Sequence, residues 1–171
     1  IIVQLPLAGE YDLDQILTKI LPAKDVDGLS GSEVFESATA TAINWLLAGY
    51  DIMLENTKIA LVGRGRLIGK PLAKMWQNSG YDVTVFHRGS DLSELKNYNI
   101  VVSATGVPHL IKNEMISGGT TIVDAGTASE DGVLVGDIDD ELRERSDLTA
   151  ITPKVGGVGP LTVTALFEHV L

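Results

Sequence analysis

The chain has 171 residues, of which 44% are hydrophobic and 21% charged, and a formal net charge of −10. This balance predicts a globular protein with one compact domain plus part of a second, and the acidic surplus argues against broad nucleic-acid binding. The sequence contains no cysteine and only three histidines, no apolar run long enough to span a membrane and no signal-peptide pattern at its start, so we expect a cytoplasmic protein without a metal centre.

The first 50 residues predict only a few elements. They are a strand at 1–5, an amphipathic segment at 13–21, a turn-rich stretch at 22–32 and a helix at 36–50. This is too little to bury a core by itself. We therefore expect residues 1–50 to be part of a separate domain, with a boundary near 49–57.

From residue 58 onward, strand-like and helical stretches alternate. Short β-branched runs occupy 58–62, 82–86, 99–104, 120–125 and 149–152, and helical patterns occupy 66–80, 91–98, 139–146 and 160–171. Continuous apolar runs are typical of strands buried on both faces. The order predicts an α/β fold with a doubly wound, Rossmann-like parallel sheet.

The stretch IALVGRGRLIGKPL, at 59–72, reads as a strand, a glycine turn and a helix. Its glycines, Gly63, Gly65 and Gly69, are one residue further apart than in the usual dinucleotide fingerprint. The arrangement nevertheless aims backbone N–H groups and the positive end of a helix at one point, which suits a pyrophosphate. The alternative is a tight glycine turn that binds nothing.

The end of the second sheet strand bears on which dinucleotide is bound. An NAD site usually has a carboxylate there, but this strand is followed by His87 and Arg88, with no carboxylate before Asp91. Arg64 and Arg88 can both converge on a 2′-phosphate, which favours NADP. Alternatively, both arginines are solvated surface charges.

Three further stretches supply candidate ligand contacts. SATGVP (103–108) and DAGTAS (124–129) follow sheet strands and place small residues where a nicotinamide ribose can approach the backbone. ITPKVGGVGPLT (151–162) is a stiff loop before a helix and allows close approach of a flat ligand, or is a structural turn. Near the start, VQLPL (3–7) and PAKDVDG (22–28) place Gln4, Asp25 and Asp27 in or beside turns. A carboxylate there either caps the following segment or binds the N–H edge of a heterocycle.

Taken together, these motifs resemble those of the methylenetetrahydrofolate dehydrogenase/cyclohydrolase family. The matching stretches are VQLPL, P-x-K-D-V-D-G, VGR followed by IGKP, ATGVP, the run at 131–139 and TP-x-V-GGVGP-x-T, in the correct order over nearly the whole chain. The resemblance implies a folate-binding domain facing an NADP-binding Rossmann domain across a cleft. It assigns residues 1–50 to the folate domain, 51–159 to the NADP domain and 160–171 to a helix that returns to the folate domain.

The resemblance also implies roles for individual residues. Gln4 looks like the glutamine that adjusts the catalytic base, and Asp27 like the aspartate that holds the pterin, so the resemblance makes Gln4 and Asp27 the catalytic candidates. Substrate-binding positions by resemblance are Gln4, Asp27, Gly156, Gly157, Pro160 and Thr162. Cofactor-binding positions are Gly63, Arg64, Gly65, Gly69, His87, Arg88, Thr105, Gly106 and Thr127.

Several positions depart from the family pattern. Gly65 replaces the serine of the triplet GRS, Arg88 stands where a serine is common, and Thr127 where an isoleucine is. The family sequence PCTP appears here as SATA (37–40), and the spacer after DVDG is short. The family's catalytic lysine lies upstream of VQLPL, and neither Lys24 nor Lys154 has its motif context.

The activity implied is NADP-dependent oxidation of 5,10-methylenetetrahydrofolate, followed by hydrolysis to 10-formyltetrahydrofolate, in one-carbon metabolism and purine biosynthesis. Tetrahydrofolate derivatives and a second copy of the chain, in a homodimer, are the implied partners. Without the lysine we expect little cyclohydrolase activity from residues 1–171. A catalytically impaired NADP-binding module is the alternative, and a shikimate-dehydrogenase-like enzyme is a third possibility.

Overall fold

The structure is a computed structural model that describes residues 1–5, 7, 9–32, 34–130 and 132–171. Pro6 of the VQLPL stretch and Asp131 of the run at 131–139 lie outside the described residues.

The centre of the fold is a five-stranded parallel sheet. Its strands are β1 (Lys58–Val62), β2 (Asp82–Phe86), β3 (Ile100–Ser103), β4 (Thr121–Asp124) and β7 (Ala150–Ile151), in the spatial order β2-β1-β3-β4-β7. The expected parallel sheet is therefore present, with each strand inside its predicted run or within a residue of it. The chain order reverses between β1 and β3, so the crevice for ligands is expected beyond the carboxyl ends of these two strands.

Both faces of the sheet are covered, which explains the near-continuous apolar strands. On one face, α2 (Ala38–Gly49) and α3 (Gly69–Asn78) pack against the sheet and bury Ile43, Leu72 and Trp76 completely. On the other face a second cluster includes Ile111, Ile138 and Leu142. Helix α2 thus shares a core with the sheet, although it lies within residues 1–50.

The remaining elements are short or lie at the ends of the chain. Helix α1 (Leu13–Leu17) is capped by Asp12, and α4 (Asp140–Arg143) by Asp139. Residues 92–97 form a 3-10 helix rather than an α-helix. The final helix, α5 (Val158–Glu168), packs on α2. Within the described residues no helix is long and apolar enough to cross a membrane.

Two details of the sequence prediction are wrong. Residues 1–5 do not form a strand, because they pair with no other strand in the described part of the chain. A small antiparallel hairpin, β5 (Ala128–Glu130) with β6 (Val133–Val135), was not predicted. It follows β4 and brings the end of β6 back to the carboxyl edge of the main sheet.

Candidate functional site

The glycine turn after β1 is built by close backbone contacts. Gly63 has a φ of +117°, and a Cβ there would overlap the carbonyl oxygen of Ala104 and lie 2.9 Å from its carbon. At Gly69, the first residue of α3, a Cβ would overlap the carbonyl oxygen of Gly63 and lie 2.7 Å from its carbon. These two glycines are therefore required by the turn itself, which joins β1, β3 and α3 at the switch point of the sheet.

Gly65 is different, because a Cβ at this position would meet nothing within 4 Å. No side chain caps the N-terminus of α3, and Ile68 stands at the N-cap position. The turn therefore presents open space at Gly65 beside an uncapped helix N-terminus. This is the geometry in which a phosphate group finds backbone donors and a favourable helix dipole.

Arg64 and Arg88 lie on the same edge of the sheet. Val62 pairs with Phe86 in the β1–β2 ladder, and each arginine stands two residues beyond its strand's paired residue. Both side chains are exposed, and neither has an ion pair within the described residues. Two guanidinium groups at one edge of an acidic protein give this edge a local positive charge.

The neighbouring charged side chains are engaged elsewhere. Asp91 caps the following 3-10 helix by accepting the N–H of Ser93 at 2.9 Å, so it does not take the place of the missing strand-end carboxylate. Arg66 pairs with Asp14 of α1 at 2.5 Å. Of the three arginines near the turn, Arg64 and Arg88 are thus the two without an ion pair within the described residues.

A cleft of about 470 Å³ opens at the carboxyl end of the sheet, which is large enough for part of a bulky organic ligand. Its walls come from residues 2–5, the end of β4, the end of β6 and the loop before α5. The candidate residues in its lining are Gln4, Asp27, Thr127, Gly156, Gly157, Pro160 and Thr162. The structure thus brings the substrate-side candidates together, whereas Gly63, Arg64, Gly65, Gly69, His87, Arg88, Thr105 and Gly106 lie outside this lining.

The two aspartates of DVDG have different roles. Asp25 is buried and accepts the N–H groups of Leu29 and Ser30, at 3.2 and 2.7 Å, so it caps the following segment. Asp27 faces the cleft and is half-buried. Burial raises the pKa of Asp27, the charge of Asp25 raises it further, and His169 opposes both. Of the two open interpretations, the capping one describes Asp25, and Asp27 is the carboxylate available to a ligand.

Helix α5 points its N-terminus into the same cleft. Its N-cap is Gly157, with no side chain capping it, and Val158 and Gly159 also line the cleft. Lys154, in the loop before α5, lines the cleft as well but pairs with Asp140 at 2.7 Å. The cleft therefore combines the half-buried Asp27 carboxylate with an uncapped helix N-terminus, and both can bind polar groups of a ligand.

The loops after β3 and β4 are fixed by a network that sequence reasoning missed. The Asp124 carboxylate accepts the N–H groups of Gly126 and Asp137 and pairs with Arg143 at 2.6 Å. Burial raises the pKa of Asp124 in spite of this pair. Isolated aspartates after strands form no recognisable spacing, so no sequence signal pointed to this network.

The turn after β2 is held by its own short contacts. The N–H of His87 donates to the Ser90 hydroxyl at 3.0 Å, and the His87 ring Nδ1 lies 2.9 Å from the carbonyl oxygen of Arg88. Within the described residues, no group of histidines or carboxylates could hold a metal ion. The site therefore offers exposed guanidinium groups and an uncapped helix N-terminus on one side, and on the other a mainly apolar cleft that contains the Asp27 carboxylate.

Comparison with known proteins identifies relatives over the whole chain. The family model described as tetrahydrofolate dehydrogenase/cyclohydrolase, NAD(P)-binding domain, matches residues 37–171. The bifunctional protein FolD of Lactobacillus helveticus is 40% identical over 183 residues, which covers 100% of this chain and 64% of that protein. The match is longer than the 171 residues of this chain, so the relative has residues within the matched region that this chain lacks.

Two solved structures are similar in fold and sequence. A methylenetetrahydrofolate dehydrogenase-cyclohydrolase from Trypanosoma brucei, complexed with NADP cofactor and an inhibitor, has a TM-score of 0.89 and 33% identity. It is matched over 98% of this chain and 64% of its own. The FolD enzyme of Campylobacter jejuni has a TM-score of 0.88 and 35% identity, over 97% of this chain and 63% of its own. The chain thus spans slightly less than two thirds of the length of these relatives.

Proposed function

Because the chain belongs to the tetrahydrofolate dehydrogenase/cyclohydrolase family, we propose that it forms the NADP site and part of the folate site of a bifunctional enzyme. The proposed reactions are the NADP-dependent oxidation of 5,10-methylenetetrahydrofolate to 5,10-methenyltetrahydrofolate and its hydrolysis to 10-formyltetrahydrofolate. The observation that carries the proposal is the cleft, whose walls combine Gln4 and Asp27 from the first segment with Thr127 and the loop before α5.

Residues of the glycine turn fit the cofactor. The open space at Gly65 and the uncapped start of α3 accommodate the pyrophosphate. Arg64 and Arg88 follow adjacent strands and hold the 2′-phosphate by charge-assisted hydrogen bonds. Thr105, Gly106 and Thr127 approach the nicotinamide ribose from the loops after β3 and β4.

The chain's residues act mainly by positioning. When bound, the nicotinamide accepts a hydride from the one-carbon bridge of the substrate. Asp27 accepts hydrogen bonds from the N–H groups at the edge of the pterin, and Gly156 and Gly157 let the flat ring lie close to the backbone. Gln4, which reaches the cleft wall, orients the base of the hydrolysis step.

The same proposal includes the organisation of the whole protein. Residues 1–50 belong to the folate domain, 51–159 to the NADP domain, and 160–171 return to the folate domain. The bond of 2.7 Å from His169 Nδ1 to the carbonyl oxygen of Val26, which ties the last segment to the first, supports this division. A homodimer, a cytoplasmic location and a role in purine biosynthesis complete the proposal.

One observation favours a second candidate, an NADP-binding module with impaired hydrolysis. The hydrolysis step needs proton transfer by a group near its required pKa. Lys154, the lysine that lines the cleft, is held in an ion pair with Asp140. An amine that is held by a carboxylate is poorly placed to act as a base, so Lys154 does not supply the base of this step.

A cofactor titration combined with an absorbance assay distinguishes these functions. We expect NADP binding, and formation of NADPH when methylenetetrahydrofolate is added. Binding of NADP without turnover in a protein that includes the upstream segment would favour the module. Turnover with shikimate in place of the folate would refute the proposal.

A further inference from the structure

We propose that Asp137 is a positioning residue of the cofactor site. Its buried carboxylate holds the loop after β3, residues 103–106, in the place that the nicotinamide half of the dinucleotide requires. This inference rests on the proposed NADP site but concerns a residue outside the glycine turn and outside the motifs' assigned roles.

The contacts of Asp137 are directed at this loop. Its side chain is fully buried, and one oxygen, Oδ2, accepts both the hydroxyl of Ser103 at 2.6 Å and the backbone N–H of Thr105 at 2.7 Å. Between them, Ala104 places its carbonyl oxygen against Gly63. The loop is therefore clamped from both sides, by Asp137 on one and by the glycine turn on the other.

The surrounding backbone is shaped to admit this carboxylate. A Cβ on Gly126 would overlap the carboxylate of Asp137, and a Cβ on Gly136 would overlap that of Asp124. The two loops thus cross, each lacking a side chain where the other inserts a carboxylate. Asp124 also accepts the N–H of Asp137 at 3.1 Å, which fixes the backbone from which the clamp extends.

The buried carboxylate of Asp137 has a cost in folding free energy that a purely structural contact would not require. The second oxygen, Oδ1, is buried and has no hydrogen-bond partner within the described residues. A buried polar atom without a partner costs free energy. The other oxygen, Oδ2, accepts both hydrogen bonds, from Ser103 and Thr105. The buried carboxylate therefore lowers stability at the point where it fixes a ligand-facing loop, and residues that position a site are often retained at such a cost.

The test uses two ligands that separate the two halves of the cofactor. NADP spans the whole site, whereas adenosine 2′,5′-bisphosphate occupies only the end bound by Arg64 and Arg88. In Asp137→Ala, the N–H of Thr105 loses its acceptor, and we expect NADP affinity to fall about tenfold or more. The affinity for adenosine 2′,5′-bisphosphate should stay within about twofold of the wild type.

The conservative variant supplies the control. Asp137→Asn keeps an acceptor oxygen for both donors, so it should recover most of the NADP affinity. Amide hydrogen exchange provides a readout without ligand: the Thr105 amide should lose protection in Asp137→Ala and retain it in Asp137→Asn. If Asp137→Ala does not fold, Ser103→Ala, which removes one of the two bonds, should weaken NADP binding by a smaller factor and leave the bisphosphate unaffected.

The outcomes are distinguishable. If the wild-type chain binds both ligands but Asp137→Ala or Ser103→Ala binds NADP as tightly as the wild type, the positioning role is refuted. An equal loss for both ligands would also refute it, because it would indicate a general loss of structure. A wild-type chain that binds neither ligand would overturn the proposed function itself, and the exchange of Thr105 would still show whether the clamp exists.

Discussion

Gly63 and Gly65 of the turn after β1 should respond to substitution in opposite ways. Gly63 has a positive φ and no room for a Cβ, whereas Gly65 has neither restriction. Replacement of Gly63 by alanine costs about 1–3 kcal/mol from the backbone conformation, and the overlap with Ala104 adds to this. At about 2–4 °C per kcal/mol for a chain of this length, a loss of about 2 kcal/mol lowers the Tm by about 4–8 °C.

Gly65→Ala should instead be neutral or slightly stabilising. Its backbone is outside the positive-φ region and its Cβ would meet nothing within 4 Å, so the substitution mainly restricts the unfolded chain. The expected gain is about 0.4–1 kcal/mol. Gly65→Leu, which fills the same open space with a larger side chain, should keep the Tm but abolish NADP binding.

Thermal unfolding and cofactor titration of the three variants check this reasoning. Gly63→Ala should lose stability, and Gly65→Leu should lose the ligand while remaining folded. If Gly63→Ala kept the wild-type Tm, the close contact with Ala104 would not be what determines the turn. If Gly65→Leu bound NADP normally, the open space would not be the phosphate site.

Three further predictions follow from the charges of the site. Asp27→Asn should raise the Tm at pH 7. Burial raises the pKa of Asp27 above 3.8, so the stability of the wild type falls as the pH rises from 3.8 through the folded pKa. The gain in Tm should therefore shrink toward pH 4, and folate binding should weaken; thermal unfolding and ligand titration at both pH values measure these effects. Arg143→Ala should lower the free energy of unfolding in urea by about 3 kcal/mol or more, because it leaves the buried side chain of Asp124 without its ion pair. Lys154→Ala, which breaks an exposed pair, should lower it by less than about 1 kcal/mol. Equal losses would contradict the argument from burial. Residues 1–171 alone should show little cyclohydrolase activity in an absorbance assay with methenyltetrahydrofolate, and robust turnover would refute this.

The sheet could be predicted from the sequence because its strands are buried on both faces. Runs such as KIALV and NIVVSA are mostly apolar, as is typical of such strands, and the glycine turn and helix after KIALV further support the prediction of a strand there. Residues 1–5 have a similar composition but no neighbouring strand in the described residues, and composition cannot report a missing partner. The hairpin of β5 and β6 was missed because each strand has only three residues.

The candidate site was predicted only where motifs mark it. The positions of Asp27 and of the loop before α5 follow from their motifs, and the structure places both in one cleft. The distinction between Asp25 and Asp27 needed the fold, because both stand in the same turn-rich stretch. Asp137 was not singled out, since its partners, Ser103 and Thr105, are more than 30 residues away in sequence.

The central claim, that the turn after β1 binds NADP through its 2′-phosphate, is tested most directly by the ratio of NADP to NAD affinity. Arg64→Ala and Arg88→Ala should each lower the affinity for NADP by about tenfold and leave that for NAD nearly unchanged, because only NADP offers the phosphate. Both variants should retain the wild-type Tm, as both side chains are exposed. A ratio unchanged in both single variants would contradict the account.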